Sequence, residues 1–423
     1  MQNGGFKKKK IKILEFFTKT RLLIVLFIVL FIGFNVYQFM DLQPKRTYYT
    51  VQNEASFPII YQNRKGKKIN ELRGYRDEKY KSIMNDTLTV LNDNRELSLI
   101  INKNNNDIKE MQYEIRNKTT NELLERTVLY IPETKEEEIE VTARIQNLIE
   151  EKTTYEMIFK FDIGDKSIYY FSNIIYKRKN VLDEALSMIE DFTDSTFDEK
   201  RASKMVKYLE TNPNVDQKQL FNVTIESNFE QLTWGGTKMK KESEYYYDVF
   251  QAQDYCYNVN VYYLASCKND NNENEYYSVK DEYVLRWDEK RFYIMKFDRS
   301  TEEYINLDND IFDKEKKRFS LGVTDIDLFE KMESDNKKYA VFNKNKEIYL
   351  YDDENHSIQN IYGYHIHDKD SYMRNMVDVN TKLLDIEDNG NVKFLVYGYN
   401  RNGANEGLVG ISVYSYDKEL SDV

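Results

Sequence analysis

Two of the three histidines in the 423-residue chain lie two positions apart in the segment YHIHD (364–368). In a β-strand, residues i and i+2 point to the same face, so His365 and His367 would lie side by side, next to the Asp368 carboxylate. Imidazole nitrogens and carboxylate oxygens are ligands of Zn²⁺, but a third ligand at a diagnostic spacing is missing. We therefore predict a solvated strand end at this position and no metal site.

The segment DIEDNG (385–390) has carboxylate and amide oxygens at alternate positions before a glycine, as a calcium-binding EF-hand loop does. The twelfth position of such a loop is a bidentate glutamate, whereas in this chain it is Val396. Asn-Gly is a preferred pair for a two-residue hairpin turn, so Asn389 and Gly390 explain the segment without a cation. The sequence predicts a hairpin here.

Familiar motifs of nucleophilic and phosphate chemistry are missing from the sequence, which has no G-x-S-x-G, H-E-x-x-H, Walker or G-x-G-x-x-G pattern. Cys256 and Cys267 have no neighbouring histidine and lie in one alternating run. As one strand this run would hold them about 35 Å apart, and a disulfide would need the chain to turn back between them. We predict no enzymatic activity, no catalytic residue and no cofactor, although the 72 acidic residues leave a glycosidase-like carboxylate pair open.

Adjacent aromatic residues are frequent in a chain with 35 tyrosines and 23 phenylalanines. Exposed rings stack on sugars, whereas buried rings pack across strands, which is the commoner arrangement. We therefore predict a packing role for the tyrosine clusters and for the tryptophan of the segment TWGG, which are Tyr245–Tyr247, Tyr262–Tyr263, Tyr276–Tyr277 and Trp234.

Charge is distributed unequally along the chain. Residues 1–21 carry a net charge of +6 while the total is −11, so the remaining residues carry −17. This acidic part would be repelled by phosphate backbones, and we predict no nucleic-acid partner. The basic residues of the N-terminal segment are Lys7, Lys8, Lys9, Lys10, Lys12, Lys19 and Arg21.

An uncharged apolar run follows these basic residues, from Leu22 to Met40. As a helix it would span about 28 Å, close to the hydrocarbon thickness of a lipid bilayer. Because basic residues flank the cytoplasmic end of membrane helices, the N-terminus is predicted to be cytoplasmic and the rest of the chain extracytoplasmic. The most apolar part of this single-pass transmembrane helix comprises Leu22, Leu23, Ile24, Val25, Leu26, Phe27, Ile28, Val29, Leu30, Phe31, Ile32, Gly33 and Phe34.

A cleaved signal peptide also begins with basic residues and an apolar run. The flank after this run, FNVYQFMDLQ (34–43), lacks small residues at A-x-A spacing, and the 21 residues before the run are long for a signal peptide. The sequence therefore favours an uncleaved signal anchor in the cell membrane.

Residues 45–178 contain short runs that alternate with period two between turn signals such as Asn63–Gly66 and Gly164-Asp165. This spacing is typical of an immunoglobulin-like β-sandwich. The predicted order is a basic cytoplasmic tail (1–21), a transmembrane helix (22–40) and a β-sandwich domain (45–178), followed by two further regions.

The region 179–320 opens with two predicted amphipathic helices. Behind an Asn180 cap, the first has an apolar face of Leu182, Ala185, Leu186, Ile189 and Phe192. The second, DEKRASKMVKYLE (198–210), places Ala202, Met205, Val206 and Leu209 together. Long consecutive strands follow, so the order predicts an α+β domain with a helix pair on a curved antiparallel sheet, which resembles nuclear transport factor 2-like domains.

The region 321–423 has short strands and a turn at Asn389-Gly390 that are typical of β-propeller blades. Its length makes about two blades, whereas a closed propeller needs at least four. We expect an incomplete β-propeller-like region, truncated from a longer protein or decayed from a complete propeller. The predicted fold class of the whole chain is mainly β with an α+β middle domain.

Four segments together resemble uncharacterised clostridial (Firmicutes) single-pass membrane proteins with a β-rich, propeller-like ectodomain. The resemblance implies a longer ectodomain in those proteins and transfers no catalytic or binding residue. The segments are LLIVLFIVLFIG (22–33), FTDSTFDEKRASKMVKYLETN (192–212), YVLRWDEKRFYIMKFD (283–298) and DIEDNGNVKFLVYGYNRNGANEGLVGISVYSYD (385–417).

These features favour a membrane-anchored extracytoplasmic binding or scaffolding protein. Its predicted partners are the lipid bilayer and a protein or polysaccharide of the bacterial cell envelope. One alternative is a sensor or regulatory subunit of a membrane signalling system, since the cytoplasmic tail is too short to be an enzyme. A cell-envelope hydrolase is the other alternative, and it would need clustered acids with a perturbed pKa in a cleft.

Overall fold

The computed structural model describes the chain in two compact units, Met1–Thr47 and Tyr48–Val423. In the first unit, residues 27–32 are helical and their apolar side chains are exposed. Within the described ranges, no helix has both the length and the apolar character that crossing a bilayer requires. The described residues are 27–32, 55–82, 87–214, 216, 218–253, 255–309, 311–313, 318–322, 329–344, 346–363, 379–401 and 403–423.

The first part of the second unit consists of one end of a larger sheet and one separate five-stranded sheet, which share an apolar core. Their strand orders are β2-β1-β4-β7 and β3-β9-β8-β5-β6, and only the β3–β9 pair is parallel. Leu99 from one sheet and Met111 and Phe159 from the other lie in the common core. The strands are β1 (Ile59–Arg64), β2 (Lys67–Leu72), β3 (Leu88–Leu91), β4 (Glu96–Asn102), β5 (Ile108–Asn117), β6 (Leu123–Leu129), β7 (Glu138–Arg144), β8 (Thr154–Ile163) and β9 (Lys166–Tyr176).

Two predicted turns are present in this part. Gly66 (φ 85°) lies between β1 and β2, and Gly164 (φ 57°) lies between β8 and β9. Positive φ values are readily adopted by glycine because it has no Cβ atom. The Asn63 side chain also accepts a hydrogen bond from the Gly66 amide at 2.9 Å, which stabilises the first turn.

The helix predicted after residue 180 is confirmed as α1 (Leu182–Ser195). Asn180 Oδ1 accepts a hydrogen bond from the Leu182 amide at 3.0 Å, although Val181 occupies the N-cap position itself. The apolar face packs on the middle sheet, as its periodicity predicts. Every predicted residue of that face is buried: Leu182, Ala185, Leu186, Ile189 and Phe192.

The prediction of the second helix is wrong in its length. Where a pair of helices was expected, the structure has one full helix and one short helix. The chain forms a four-residue helix, α2 (Glu199–Ala202), and a separate 3₁₀ turn at Val206–Tyr208. After α2 the backbone tightens, because the Met205 amide donates to the Ala202 carbonyl at 2.8 Å rather than to a residue four positions back. This change of pitch leaves Val206 exposed.

The middle sheet is antiparallel and has the order β10-β15-β14-β13-β12. Phe192 of α1 packs against Tyr283 and Phe297 on one face of it. Beyond β12 the sheet continues into β2 through a parallel pairing of Tyr247 with Ile69, so strands from both sides of residue 178 share one ten-stranded sheet. The elements are β10 (Asn222–Thr224), α3 (Phe229–Leu232), β11 (Lys240–Lys241), β12 (Tyr246–Gln253), β13 (Cys256–Lys268), β14 (Asn274–Trp287) and β15 (Phe292–Glu303).

Two antiparallel sheets, β18-β19-β20-β21 and β22-β23-β24, form the last part and share a core that includes Val341, Leu350 and Phe394. Gly390 (φ 88°) lies in the tight connection between β22 and β23, which confirms the predicted Asn-Gly hairpin. None of the sheets closes on itself within the described ranges. Strands β16 (Phe312–Asp313) and β17 (Arg318–Phe319), which precede this part, pair with each other as a separate two-stranded sheet. The strands of the two larger sheets are β18 (Lys331–Glu333), β19 (Tyr339–Lys344), β20 (Glu347–Asp352), β21 (Ser357–Tyr362), β22 (Val379–Ile386), β23 (Val392–Tyr399) and β24 (Val409–Tyr416).

Candidate functional site

The segment that connects β23 to β24 packs against the first part, next to β1 and β2. A small apolar cluster at this contact joins Tyr399 to Tyr75 and Phe171 of the first part. We call four residues the C-terminal clasp: Tyr399 at the end of β23, and Arg401, Glu406 and Gly407 of the connecting segment. The clasp lies about 350 residues away in sequence from the backbone that it contacts.

Glu406 is the central residue of the C-terminal clasp. Its carboxylate is almost completely buried and accepts hydrogen bonds from the Ser56 and Phe57 amides, each at 2.8 Å. The Ser56 hydroxyl also donates to this carboxylate. Hydrogen bonds to an ionised acceptor are stronger than those between neutral groups. Glu406 thus holds the backbone at Ser56 and Phe57, just before β1.

Two arginines make further contacts between the connecting segment and the first part. Arg401 Nη2 lies 2.5 Å from Glu71 Oε1, and both side chains are largely buried. Arg76 donates from Nη2 to the Ala404 carbonyl at 2.8 Å and from Nε to the Glu406 carbonyl. Each of these arginines therefore joins the connecting segment to β2 or to the residues just after it.

The fit of the C-terminal clasp is close. The Tyr399 hydroxyl donates to the Gly74 carbonyl at 2.8 Å. Gly407 has φ +77°, and a Cβ atom at this position would lie only 2.5 Å from Phe57 Cε2. The crevice that remains has an empty volume of about 240 Å³ including open solvent, which is less than a typical small-molecule pocket. The arrangement is suited to holding two parts of the chain together.

A second cluster of charges lies inside the middle sheet. Asp281 on β14 and Arg299 on β15 form a fully buried ion pair, with Nε–Oδ1 at 2.8 Å and Nη2–Oδ2 at 3.2 Å. The Tyr263 hydroxyl donates to Asp281 at 3.2 Å, and burial raises the pKa values of Tyr263 and Tyr283 well above their usual range. Neutral tyrosines and a paired carboxylate give this cluster a structural role.

The predicted packing role of the aromatic clusters is confirmed for most of their members. The Trp234 ring is buried, stacks on Phe197 at 5.6 Å between centroids and lies 4.1 Å from the Arg299 guanidinium. Tyr276 and Tyr277 are half-buried. The tyrosines that are buried in the sheet are Tyr245, Tyr246, Tyr247, Tyr262 and Tyr263.

An acidic groove lies where β18 approaches the end of β22. It has about 910 Å³ of empty volume including open solvent and is lined by carboxylates that include Glu333, Asp385 and Glu387. Lys393 lies 2.7 Å from Glu387 and holds the pKa of that carboxyl below its usual range. A general acid needs a raised pKa, so Glu387 itself does not have the character of one.

Several residues named from the sequence fall outside the described ranges. These include His365 and His367, the seven basic residues of the N-terminal segment, and the predicted transmembrane residues other than 27–32. Among the residues that the structure does describe, no group of three or more histidine, cysteine or acidic side chains could hold a metal ion. Cys256 and Cys267 are free thiols near opposite ends of β13.

The residues of the C-terminal clasp were not singled out by sequence analysis. The segment RNGANEG (401–407) has turn residues but no periodicity that could indicate its contact with Ser56 and Phe57. The buried ion pair could have been recognised from the sequence, because Asp281 and Arg299 occupy positions of alternating strands that otherwise carry apolar residues.

Comparison with protein-family models finds no matching family, and comparison with curated proteins finds no significant match.

Proposed function

We propose that this chain is a single-pass membrane protein whose extracytoplasmic part binds or scaffolds a protein or polysaccharide of the bacterial cell envelope. The observation that carries the proposal is the uncharged apolar run from Leu22 to Met40 directly after a lysine-rich segment. A helix of this composition is stable across lipid, and the positive flank orients it with the N-terminus in the cytoplasm. The exposed apolar side chains at 27–32 are consistent with a lipid environment.

A binding role is supported by the absence of catalytic motifs from the sequence and by extensive β-structure in the second unit. At a finer level, we propose that the first part is an immunoglobulin-like β-sandwich, that the middle part is nuclear transport factor 2-like, and that the last part is propeller-like. The resemblance to clostridial single-pass membrane proteins is part of the same proposal. These folds host many functions, so they do not identify the ligand.

The anchor is tested by charge insertion. In the full chain, replacing Ile28 and Leu30 with arginine is expected to abolish stable membrane association, since each charge costs about 2.5–3.5 kcal/mol at the centre of a membrane helix. The measurement is the fraction that stays in the membrane pellet after an alkaline carbonate wash. The matched variant with alanine at both positions is expected to remain in the pellet. Loss of the unmodified chain in the wash would contradict the anchor.

The extracytoplasmic location is tested on intact cells. Protease added from outside is expected to digest the residues after the anchor, and chemical crosslinking from outside is expected to recover the same envelope component repeatedly. Full protection from protease would exclude the proposed topology. Crosslinking that recovers nothing above background would contradict the binding role even if the topology holds.

One observation favours the sensor or regulatory alternative. The C-terminal clasp binds Ser56 and Phe57, which are among the first residues described after the proposed anchor. A ligand that moved the last sheet would therefore act directly on the backbone just before β1. Exchange of Leu22–Met40 for an unrelated transmembrane helix separates the two functions, because transmission through the anchor would be lost whereas binding would persist.

The strength of the C-terminal clasp is tested by replacing Glu406 with alanine. Loss of its carboxylate leaves the Ser56 amide and the buried Phe57 amide without their acceptor, which is expected to cost about 1–3 kcal/mol. Amide hydrogen exchange at these two residues should accelerate about tenfold or more. The control is the replacement of Glu419, an exposed glutamate, with alanine, which should leave amide exchange at Ser56 and Phe57 unchanged. Equal exchange in both variants would show that the clasp does not hold this backbone.

A further inference from the structure

Strand β24 is an edge strand without charge. It lies at the end of the sheet β22-β23-β24 and, among the described strands, pairs only with β23. Its sequence is VGISVYSY, so eight consecutive residues carry no charged side chain. An exposed edge of this kind presents unpaired backbone groups to which another strand can add.

The other long edge strands of the described sheets carry charges that oppose strand addition. Strand β7 has the sequence EIEVTAR, β6 has LLERTVL and β22 has VNTKLLDI. Charged side chains on an edge strand prevent pairing with another chain because pairing would desolvate them. Strand β24 is the exception among the described edge strands of seven or more residues.

The face of the sheet beside this edge is apolar and exposed. Ile411 and Val413 are 71% and 68% exposed. In the strand register they lie opposite Tyr397 and Leu395 of β23, so the four side chains form one patch. Large apolar side chains gathered beside an open edge are typical of an interaction surface rather than of scattered surface residues.

This patch continues a contact that the chain already makes with itself. Two residues further along the same face, Tyr399 lies opposite Val409, and both belong to the apolar cluster that includes Tyr75 and Phe171 of the first part. The buried end of the face is therefore a packed interface between two parts of the chain, and the exposed end has the same apolar character.

We propose that β24 pairs in antiparallel orientation with β24 of a second copy of this chain. The strand is self-complementary: a pairing centred on Ser412 places Ile411 of each copy opposite Val413 of the other. No like charges meet at this edge, although each chain carries a net charge of −11. A twofold axis makes such an interface closed, so that pairing stops at a dimer.

This inference rests on the proposed membrane anchor in one respect. Two copies held in the same membrane have a raised effective concentration, which favours association through a surface of modest size. The dimer in turn gives the proposed scaffold a second, identical binding surface.

Cysteine crosslinking tests the register. Two differently tagged full chains, one with Ile411→Cys and one with Val413→Cys, are co-expressed in a background with Cys256→Ser. Directly opposite side chains have Cβ atoms about 4.5–5.5 Å apart, near disulfide range, whereas the diagonal positions are about 7–8 Å apart. We expect the mixed pair to form at least about ten times more disulfide-linked dimer than either variant alone. Equal crosslinking in all combinations, or none, would overturn the proposed pairing.

Charge insertion at the edge tests the interface independently. Val413→Lys is expected to reduce the dimeric fraction of the full chain in detergent at least about tenfold, because pairing would desolvate a lysine opposite Ile411 of the other copy. Val128→Lys is the matched control, since Val128 is 59% exposed on the edge strand β6. Circular dichroism of both variants verifies that they fold.

The outcomes separate this inference from the proposed function. A chain that stays in carbonate-washed membranes but shows no dimer in either test overturns the pairing and leaves the anchor intact. A chain that washes off the membrane contradicts the anchor, whatever its oligomeric state. If Val413→Lys abolishes crosslinking to another envelope protein while no dimer forms, β24 accepts a foreign strand and the second-copy proposal is wrong.

Discussion

Replacing Arg299 with methionine is expected to lower the free energy of unfolding by about 3–5 kcal/mol, because it leaves a carboxylate buried without its partner. Asp281 and Arg299 are both completely buried and form two hydrogen bonds with each other. After the substitution, Asp281 would retain tyrosine hydroxyl donors such as Tyr263 but no positive charge. The chain would then unfold at a lower urea concentration.

Tryptophan fluorescence is a suitable signal for this measurement, since both tryptophans, Trp234 and Trp287, lie in the middle part and pack on its core. The control is Lys296→Ala, which removes a half-exposed ion pair with Glu282 from the same two strands. Exposed pairs contribute about 0–1 kcal/mol, so the control should change stability little. A similar loss in both variants would show that burial of the Arg299 pair is not the cause.

A double variant separates the charge from the packing. Replacing Asp281 with leucine and Arg299 with methionine together removes both buried charges, and we expect the double variant to regain most of the stability that Arg299→Met loses. Buried ion pairs often can be replaced by apolar residues of similar volume at little cost. If the double variant is as unstable as the single one, the shape of the pair rather than its charge is decisive.

Replacing Lys344 with methionine is expected to stabilise the chain at pH 7 by about 1–3 kcal/mol. Lys344 is almost fully buried at the end of β19 and its ammonium donates to the Leu321 carbonyl. Burial lowers the pKa of Lys344 to about 8, although Glu303 and Glu347 lie near enough to raise it. The charged form is therefore unfavourable in the folded chain at neutral pH, and methionine removes that cost.

The pH dependence gives the clearest measurement. In the unfolded chain, the pKa of Lys344 has the ordinary value of 10.5. Between pH 8 and 10.5, Lys344 therefore loses its proton in the folded chain but keeps its proton in the unfolded chain. The unfolded chain then binds more protons, so stability rises with pH across this window, by about 3 kcal/mol in total. The advantage of the Lys344→Met variant should consequently shrink as the pH is raised from 8 to 9.5.

Urea unfolding followed by circular dichroism at several pH values tests this expectation. Lys331→Met removes an exposed lysine from the neighbouring strand β18 and controls for the loss of one positive charge. A stability difference between the Lys344→Met variant and the original chain that is the same at pH 7 and pH 9.5 would contradict the lowered pKa. So would a Lys344→Met variant that is less stable than the original chain at pH 7.

The sequence was sufficient to predict helices and turns whose residues follow a clear local pattern. Helix α1 was predicted with all of its buried apolar residues because residues such as Leu186 and Ile189 recur at helical spacing. The hairpin at Asn389-Gly390 was predicted because this dipeptide favours the required turn. The next helix was predicted too long, since Met205 and Val206 continue the apolar pattern although the backbone changes pitch there.

Contacts between distant segments could not be predicted from the spacing of residues along the sequence. Nothing in the spacing of Glu406 indicates that its carboxylate accepts the amides of Ser56 and Phe57. Similarly, alternation predicts strands on both sides of residue 178 but does not reveal that Tyr247 pairs with Ile69 in a single sheet. The charges at Asp281 and Arg299 do interrupt the apolar alternation of their strands, so a buried pair at these positions was within reach.

The sequence by itself determined the mainly β class, the α1 face and the uncharged apolar run of the N-terminal unit, because each depends only on neighbouring residues and their solvation. The tertiary structure decided which strands share a sheet, that the C-terminal clasp holds the start of the second unit, and that the patch at Ile411 and Val413 is exposed beside an open edge. Those features depend on which distant surfaces become buried together, and local pattern carries no information about that choice.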